Sequence, residues 1–115
     1  MKVLVTGATG FIGSYLIRKL LKSKTNQIVA TSRSIDKAKK SDWFSKVEYI
    51  EYDFNEGTGE NLYDFFGKPD QLIHLAWEDL SDYSSPSHID VILPNHCEFI
   101  ESMVVGGLKD VVVTG

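Results

Sequence analysis

Apolar residues return along the chain in two alternating rhythms. Val3, Leu4 and Val5 make a short unbroken run, the pattern of a parallel strand buried on both faces. After a glycine cluster, Ile12, Leu16, Ile17, Leu20 and Leu21 recur every three or four residues and predict an amphipathic helix. Ile28, Val29 and Ala30 predict a second strand, and Ser34 is placed to cap a short helix near residues 35–43. Alternation from Val47 to Tyr52 predicts a third strand, and Asn61 to Phe66 a short helix closed by Gly67, with Pro69 just beyond. Leu72 to Leu75 make a fourth strand, and the polar stretch from Glu78 to Ser87 reads as a long loop. Ile92, Phe99, Ile100, Met103 and Val104 mark a helix over 89–105 whose first part Pro94 interrupts. Gly106 and Gly107 end it, and Val111 to Val113 begin a fifth strand.

Strands alternating with helices pair in parallel through right-handed crossovers. The expected fold class is α/β, a doubly wound (Rossmann) sheet of five strands in the order 3-2-1-4-5. Ligands of such sheets lie beyond the carboxyl ends of the strands where the order reverses, here between the first and fourth strands.

Composition narrows the function. A chain of 115 residues suits a single domain, 1–115, with no second domain for a substrate. A net charge of −4 argues against a coat for nucleic acid phosphates. Lys37, Lys39 and Lys40 cluster, but Asp36 and Asp42 bracket them, as on a solvated helix face. No apolar run nears the roughly 18 residues of a membrane span, and the first one breaks too early for a signal peptide. The expected location is therefore the cytoplasm. Cys97 is alone, and His74, His88 and His96 share no ligand spacing, so neither a disulfide nor a metal site is expected.

The strongest motif is Thr6-Gly7-Ala8-Thr9-Gly10-Phe11-Ile12-Gly13, set between a strand and an amphipathic helix. In that setting Gly7 permits a tight turn, Gly10 lets backbone approach a pyrophosphate, and Gly13 lets helix and strand pack closely. The first N–H groups of the helix, near Phe11 and Ile12, then face the phosphate charge. The alternative is a glycine-rich turn with no ligand.

This motif after an N-terminal strand resembles the extended short-chain dehydrogenase/reductase family, which includes nucleotide-sugar epimerases, dehydratases and reductases. The resemblance continues through Asp53-Phe54, His74-Leu75-Ala76 and Leu108-Lys109-Asp110-Val111-Val112-Val113. It implies a nicotinamide dinucleotide cofactor, with Asp53 and Phe54 at the adenine, and Leu75 and Ala76 passing the ribose and nicotinamide by their backbones. His74 is read as structural. Trp77 departs from the small residue usual there and is placed to narrow the nicotinamide pocket. An NAD site usually carries Asp or Glu at the end of the second strand. Ser32 and Arg33 stand there instead, with no acid before Asp36. A hydroxyl followed by a guanidinium suits a 2′-phosphate, so NADP is favoured over NAD. Arg33 as a solvated loop residue and Asp53 as a turn former are the alternatives.

The resemblance also implies a Ser or Thr after the fifth strand and a Tyr-x-x-x-Lys pair for catalysis. Tyr15 and Lys19 have that spacing, but they lie on the helix after the glycine turn and are read as coincidence. Thr114 is a remote candidate for the hydroxyl, and Asn95 for an Asn that the family carries in its fourth helix. No catalytic residue is therefore assigned. The chain reads as the cofactor portion of a longer architecture, with a nucleotide-sugar substrate only in a full-length version. Two other functions fit: a non-catalytic dinucleotide sensor, and an interaction fragment that self-associates through its open fifth-strand edge.

Overall fold

The computed structural model describes residues 1–53, 61–75 and 93–113, with the side chains of 93–96 left out of the description. Five strands form one all-parallel sheet: β1 (Lys2–Thr6), β2 (Gln27–Ser32), β3 (Glu48–Glu51), β4 (Gln71–His74) and β5 (Asp110–Val113). Their order is β3-β2-β1-β4-β5, as the alternation of elements predicts. Helix α1 (Phe11–Leu20) links β1 to β2, and α2 (Ile35–Lys39) with a 3-10 turn over Phe44–Lys46 leads to β3. Helix α3 (Leu62–Phe65) precedes β4, and α4 (Leu93–Gly106) precedes β5.

Alternation along the strands sorts the core into two layers. Val3, Val5, Ile28 and Ala30 face α1 and α2, packing with Ile17, Ala38 and Trp43. Leu4, Val29 and Leu72 face α3 and α4, packing with Tyr52, Phe66, Phe99 and Met103. No helix of the described residues is long and apolar enough to cross a membrane.

Several elements differ from expectation. The helix predicted near 35–43 is only five residues long. Trp43 turns into the core at 1% exposure, and burying that indole ends the helical path early. Ser34 does cap α2, accepting from the Lys37 N–H. The described part of α4 begins at Leu93, with Pro94 in its first described turn, and the preceding residues 89–92, on which the expected interruption depends, lie outside the described residues. Ile12 belongs to the periodic stripe of α1 but is 64% exposed, while Gly13 and Ile17 are the buried positions. The first turn of α1 stands beyond the strand ends, so its apolar side chains have no sheet beneath them.

Candidate functional site

The turn from Gly7 to Gly13 lies at the carboxyl end of β1, beside β4, where the strand order reverses. Gly7 has φ +66, a left-handed conformation that disfavours any residue with a Cβ. Its carbonyl accepts from Gly10 N–H at 3.1 Å, and Ala8 N–H donates to the Thr31 carbonyl at 3.2 Å, tying the turn to β2. A Cβ on Gly13 would stand 2.2 Å from the Gly7 oxygen and 3.0 Å from Ala8 Cα. On Gly10 it would stand 3.3 Å from the same oxygen. The N-terminus of α1 therefore packs onto the turn more closely than any larger residue permits.

Gly10 is the N-cap of α1 and supplies no side-chain cap. The leading N–H groups of a helix have no partner within it, and here Phe11 is 91% exposed. This is a polarised helix end open to solvent, the arrangement that suits an anion. A glycine cradle that a Cβ would fill, at a sheet switch point, fits a dinucleotide's diphosphate.

Two supports that the sequence reading missed hold this turn. Ser14 Oγ donates to the Ala8 carbonyl at 2.8 Å and accepts from Trp43 Nε1 at 3.2 Å. Across the switch point, Thr6 Oγ1 lies 2.9 Å from His74 Nδ1 and accepts from Leu75 N–H at 3.0 Å. His74 is 2% exposed and stacks on Phe99 with ring centroids 5.4 Å apart, which places it in the structure of the sheet rather than at its surface.

At the far end of the site, Ser32 closes β2 with its hydroxyl 2.5 Å from Tyr49 Oη, and Arg33 is exposed immediately after it. Burial pushes the Tyr49 phenol above its ordinary pKa, against a lowering hydrogen bond from Ser32. Asp53 lies two residues past the end of β3 and is half-buried. An acid does reach this corner, although the sequence reading found none before Asp36: Glu51 ends β3 directly in register with Ser32. Aligning the ends of neighbouring strands is the signal that finds it.

Gly7, Thr9, Gly10, Phe11, Ile12, Gly13, Ser32, Arg33, Asp53 and Leu75 thus gather along one edge of the sheet. Phe54, Ala76, Trp77, His88 and Thr114 lie outside the described residues, as do the side chains of Asn95 and His96. Tyr15 is exposed on α1 and the Lys19 ammonium lies over its ring, 5.4 Å from the centroid. Among the described residues no group of three His, Cys, Asp or Glu is placed to hold a metal ion. A separate open hollow of about 380 Å³ between Asn61 and the outer side of α4 contains none of the turn residues.

A parallel sheet in this order, with a left-handed glycine opening a helix at its switch point, defines a Rossmann-type α/β domain. The family model for the NAD dependent epimerase/dehydratase family matches residues 3–96, and the chain belongs to that family. It is 30% identical over 115 residues to a dTDP-6-deoxy-L-talose 4-dehydrogenase (NAD(+)) of Aggregatibacter actinomycetemcomitans, covering 100% of this chain and 41% of the relative. It is 27% identical over 111 residues to a dTDP-glucose 4,6-dehydratase of Escherichia coli, covering 92% and 28% respectively. The UDP-glucuronic acid 4-epimerase from Bacillus cereus in complex with NAD shares the fold at TM-score 0.70 and 23% identity, over 98% of this chain and 39% of that one. The chain thus spans well under half the length of these relatives, and corresponds to the N-terminal NAD-binding region of nucleotide-sugar epimerases and dehydratases.

Proposed function

We propose that this chain binds NADP(H) across the carboxyl ends of β2, β1 and β4, as the cofactor-holding part of a nucleotide-sugar epimerase, dehydratase or reductase. The observation that carries the proposal is the turn itself: Gly13 packed against the Gly7 carbonyl, with the uncapped start of α1 facing solvent. The N–H groups of Phe11 and Ile12 bind the diphosphate. Asp53 and Phe54 meet the adenine, and the backbone of Leu75 and Ala76 passes the ribose and nicotinamide, with Trp77 narrowing that end. Support for NADP comes from Arg33, exposed directly after β2, whose guanidinium suits a 2′-phosphate of the adenosine ribose.

A nicotinamide dinucleotide held by these residues would supply hydride exchange with a sugar carbon. Support for a nucleotide-sugar substrate comes from the relatives, whose names specify dTDP-linked sugars. Tyr15 and Lys19 take no part in proton transfer: they are paired with each other on the outer surface of α1. This chain's own share is therefore cofactor binding and orientation.

Separate titrations with NADPH and NADH, followed by cofactor fluorescence, test the proposal. Saturable binding of both is expected, NADPH being the tighter. Arg33→Ala should weaken NADPH about tenfold or more, the value of a lost charged hydrogen bond, and move NADH less than about twofold. NADH binding tighter than NADPH refutes the role of Arg33, and no binding of either refutes the function.

A second reading rests on the exposure of Val105, Val112 and Val113, at 81%, 43% and 55%. Strand β5 has β4 on one side and no strand on the other among the described residues. That edge is suited to pairing with another polypeptide, a second copy included. Size-exclusion chromatography over a concentration series tests this, a constant monomer volume refuting it.

A further inference from the structure

Strand β3 brings a carboxylate, that of Glu51, to the end of β2. Glu51 is in register with Ser32, and in a parallel pair residues so aligned turn their side chains to the same face. Tyr49 lies two residues earlier on that face, its hydroxyl 2.5 Å from Ser32 Oγ and 3.2 Å from the Ser32 carbonyl. Glu51 Oε2 accepts from Ile35 N–H at 2.8 Å, which fixes the carboxylate beside the Ser32-Arg33-Ser34 bend. After burial and the Ser32 hydrogen bond, the Glu51 charge is the next influence on the Tyr49 phenol, raising its pKa. The Ser32 hydroxyl, meanwhile, is already engaged by Tyr49. Among the described residues, the corner where β2 and β3 end thus carries a cation on Arg33 and an anchored anion on Glu51. No ion pair joins the two among the described residues.

We propose that Glu51 is a specificity-determining residue of the adenosine end, its carboxylate opposing a 2′-phosphate and so offsetting Arg33. The proposal rests on the dinucleotide reading above. A 2′-hydroxyl can donate to a carboxylate, whereas a dianionic 2′-phosphate has no proton to donate and is repelled by it. The acid comes from β3 instead of the tip of β2, and its hydrogen bond from Ile35 N–H anchors it at the corner. Opposite charges on adjoining elements cancel much of each other's effect on a dianion. The consequence is a modest ratio between the two cofactors, held there by Glu51, in place of the strong NADP preference that Arg33 alone would give.

The test is the pair of dissociation constants for NADPH and NADH in Glu51→Gln, read by cofactor fluorescence. The amide oxygen can still accept from Ile35 N–H, so the bend is preserved while the charge is removed. NADPH should tighten about five- to tenfold, the effect of one charge near a partly exposed phosphate, and NADH should not tighten. Glu51→Ala removes the same charge without introducing an amide, and the same shift in ratio is expected. A ratio unchanged in either variant, or both cofactors weakened alike, overturns the proposal. If the unaltered chain binds neither cofactor, the dinucleotide reading itself fails. If it binds both but the ratio ignores Glu51, that reading stands and only this inference is lost.

Discussion

Replacing Gly13 by alanine adds a single methyl group where the structure leaves no room for one. The new carbon would lie 2.2 Å from the Gly7 oxygen, 3.0 Å from the Gly7 carbonyl carbon and 3.0 Å from Ala8 Cα. All three are backbone atoms, held by the Ala8–Thr31 and Gly10–Gly7 hydrogen bonds, so no rotamer change relieves the clash. Overpacking of this kind costs about 1–3 kcal/mol, and immovable neighbours put the cost near 3. Alanine recovers about 1 kcal/mol of helix propensity, leaving a net loss of about 2 kcal/mol. For a domain of this size that corresponds to a fall in Tm of roughly 8 °C, measurable by circular dichroism. Moving α1 away from the turn also misaligns its first N–H groups, so NADPH binding should fall in parallel. A variant within about 2 °C of the parent's Tm that still binds NADPH normally would refute the packing argument.

Gly10→Ala meets the Gly7 oxygen at 3.3 Å, a gap that a small shift relieves, so stability should hold within about 1 kcal/mol while diphosphate approach is obstructed. Its test is a melting curve beside an NADPH titration. Ser14→Ala leaves the buried Trp43 indole N–H without its acceptor and removes the donor to Ala8. It should lose about 1–3 kcal/mol in urea unfolding. The Arg18 hydrogen bond holds the Asp42 carboxyl below its ordinary pKa of 3.8. A lowered folded-state pKa contributes stability above that ordinary value and loses it as pH falls further, so Arg18→Ala should flatten this part of the acid limb. Burial raises the phenols of Tyr49 and Tyr52. Their stabilising contribution is complete below pH 10 and fades as pH rises through the folded values. An ultraviolet titration should therefore show Tyr49 and Tyr52 ionising above the ordinary phenol range.

The strand order was legible because the apolar rhythms are strong and adjacent: Val3, Leu4 and Val5 fill both faces of a central strand, as a covered parallel sheet requires. The glycine spacing likewise pointed to the turn at the sheet's switch point. Side-chain partners across strands were not legible. Nothing in the local pattern around Tyr49 announces its bond to Ser32, which spans 17 residues, and Glu51 joins the same corner only through strand register. Trp43 stands in a polar stretch without periodicity, so its burial emerges only when α1 and α2 close over the sheet. Ile12 misled for the opposite reason. Its spacing is helical and core-like, but α1 begins above the strand ends, where periodicity meets no partner.

The indole of Trp43 is linked through one serine hydroxyl to the carbonyl of Ala8, inside the glycine turn. Any rearrangement that a ligand imposes on that turn must disturb the polarity around a ring otherwise sealed from water. The protein therefore carries a native optical probe of its own glycine turn. With Trp77→Phe removing the second of the chain's two tryptophans, the colour and intensity of the remaining emission would report occupancy without any dye.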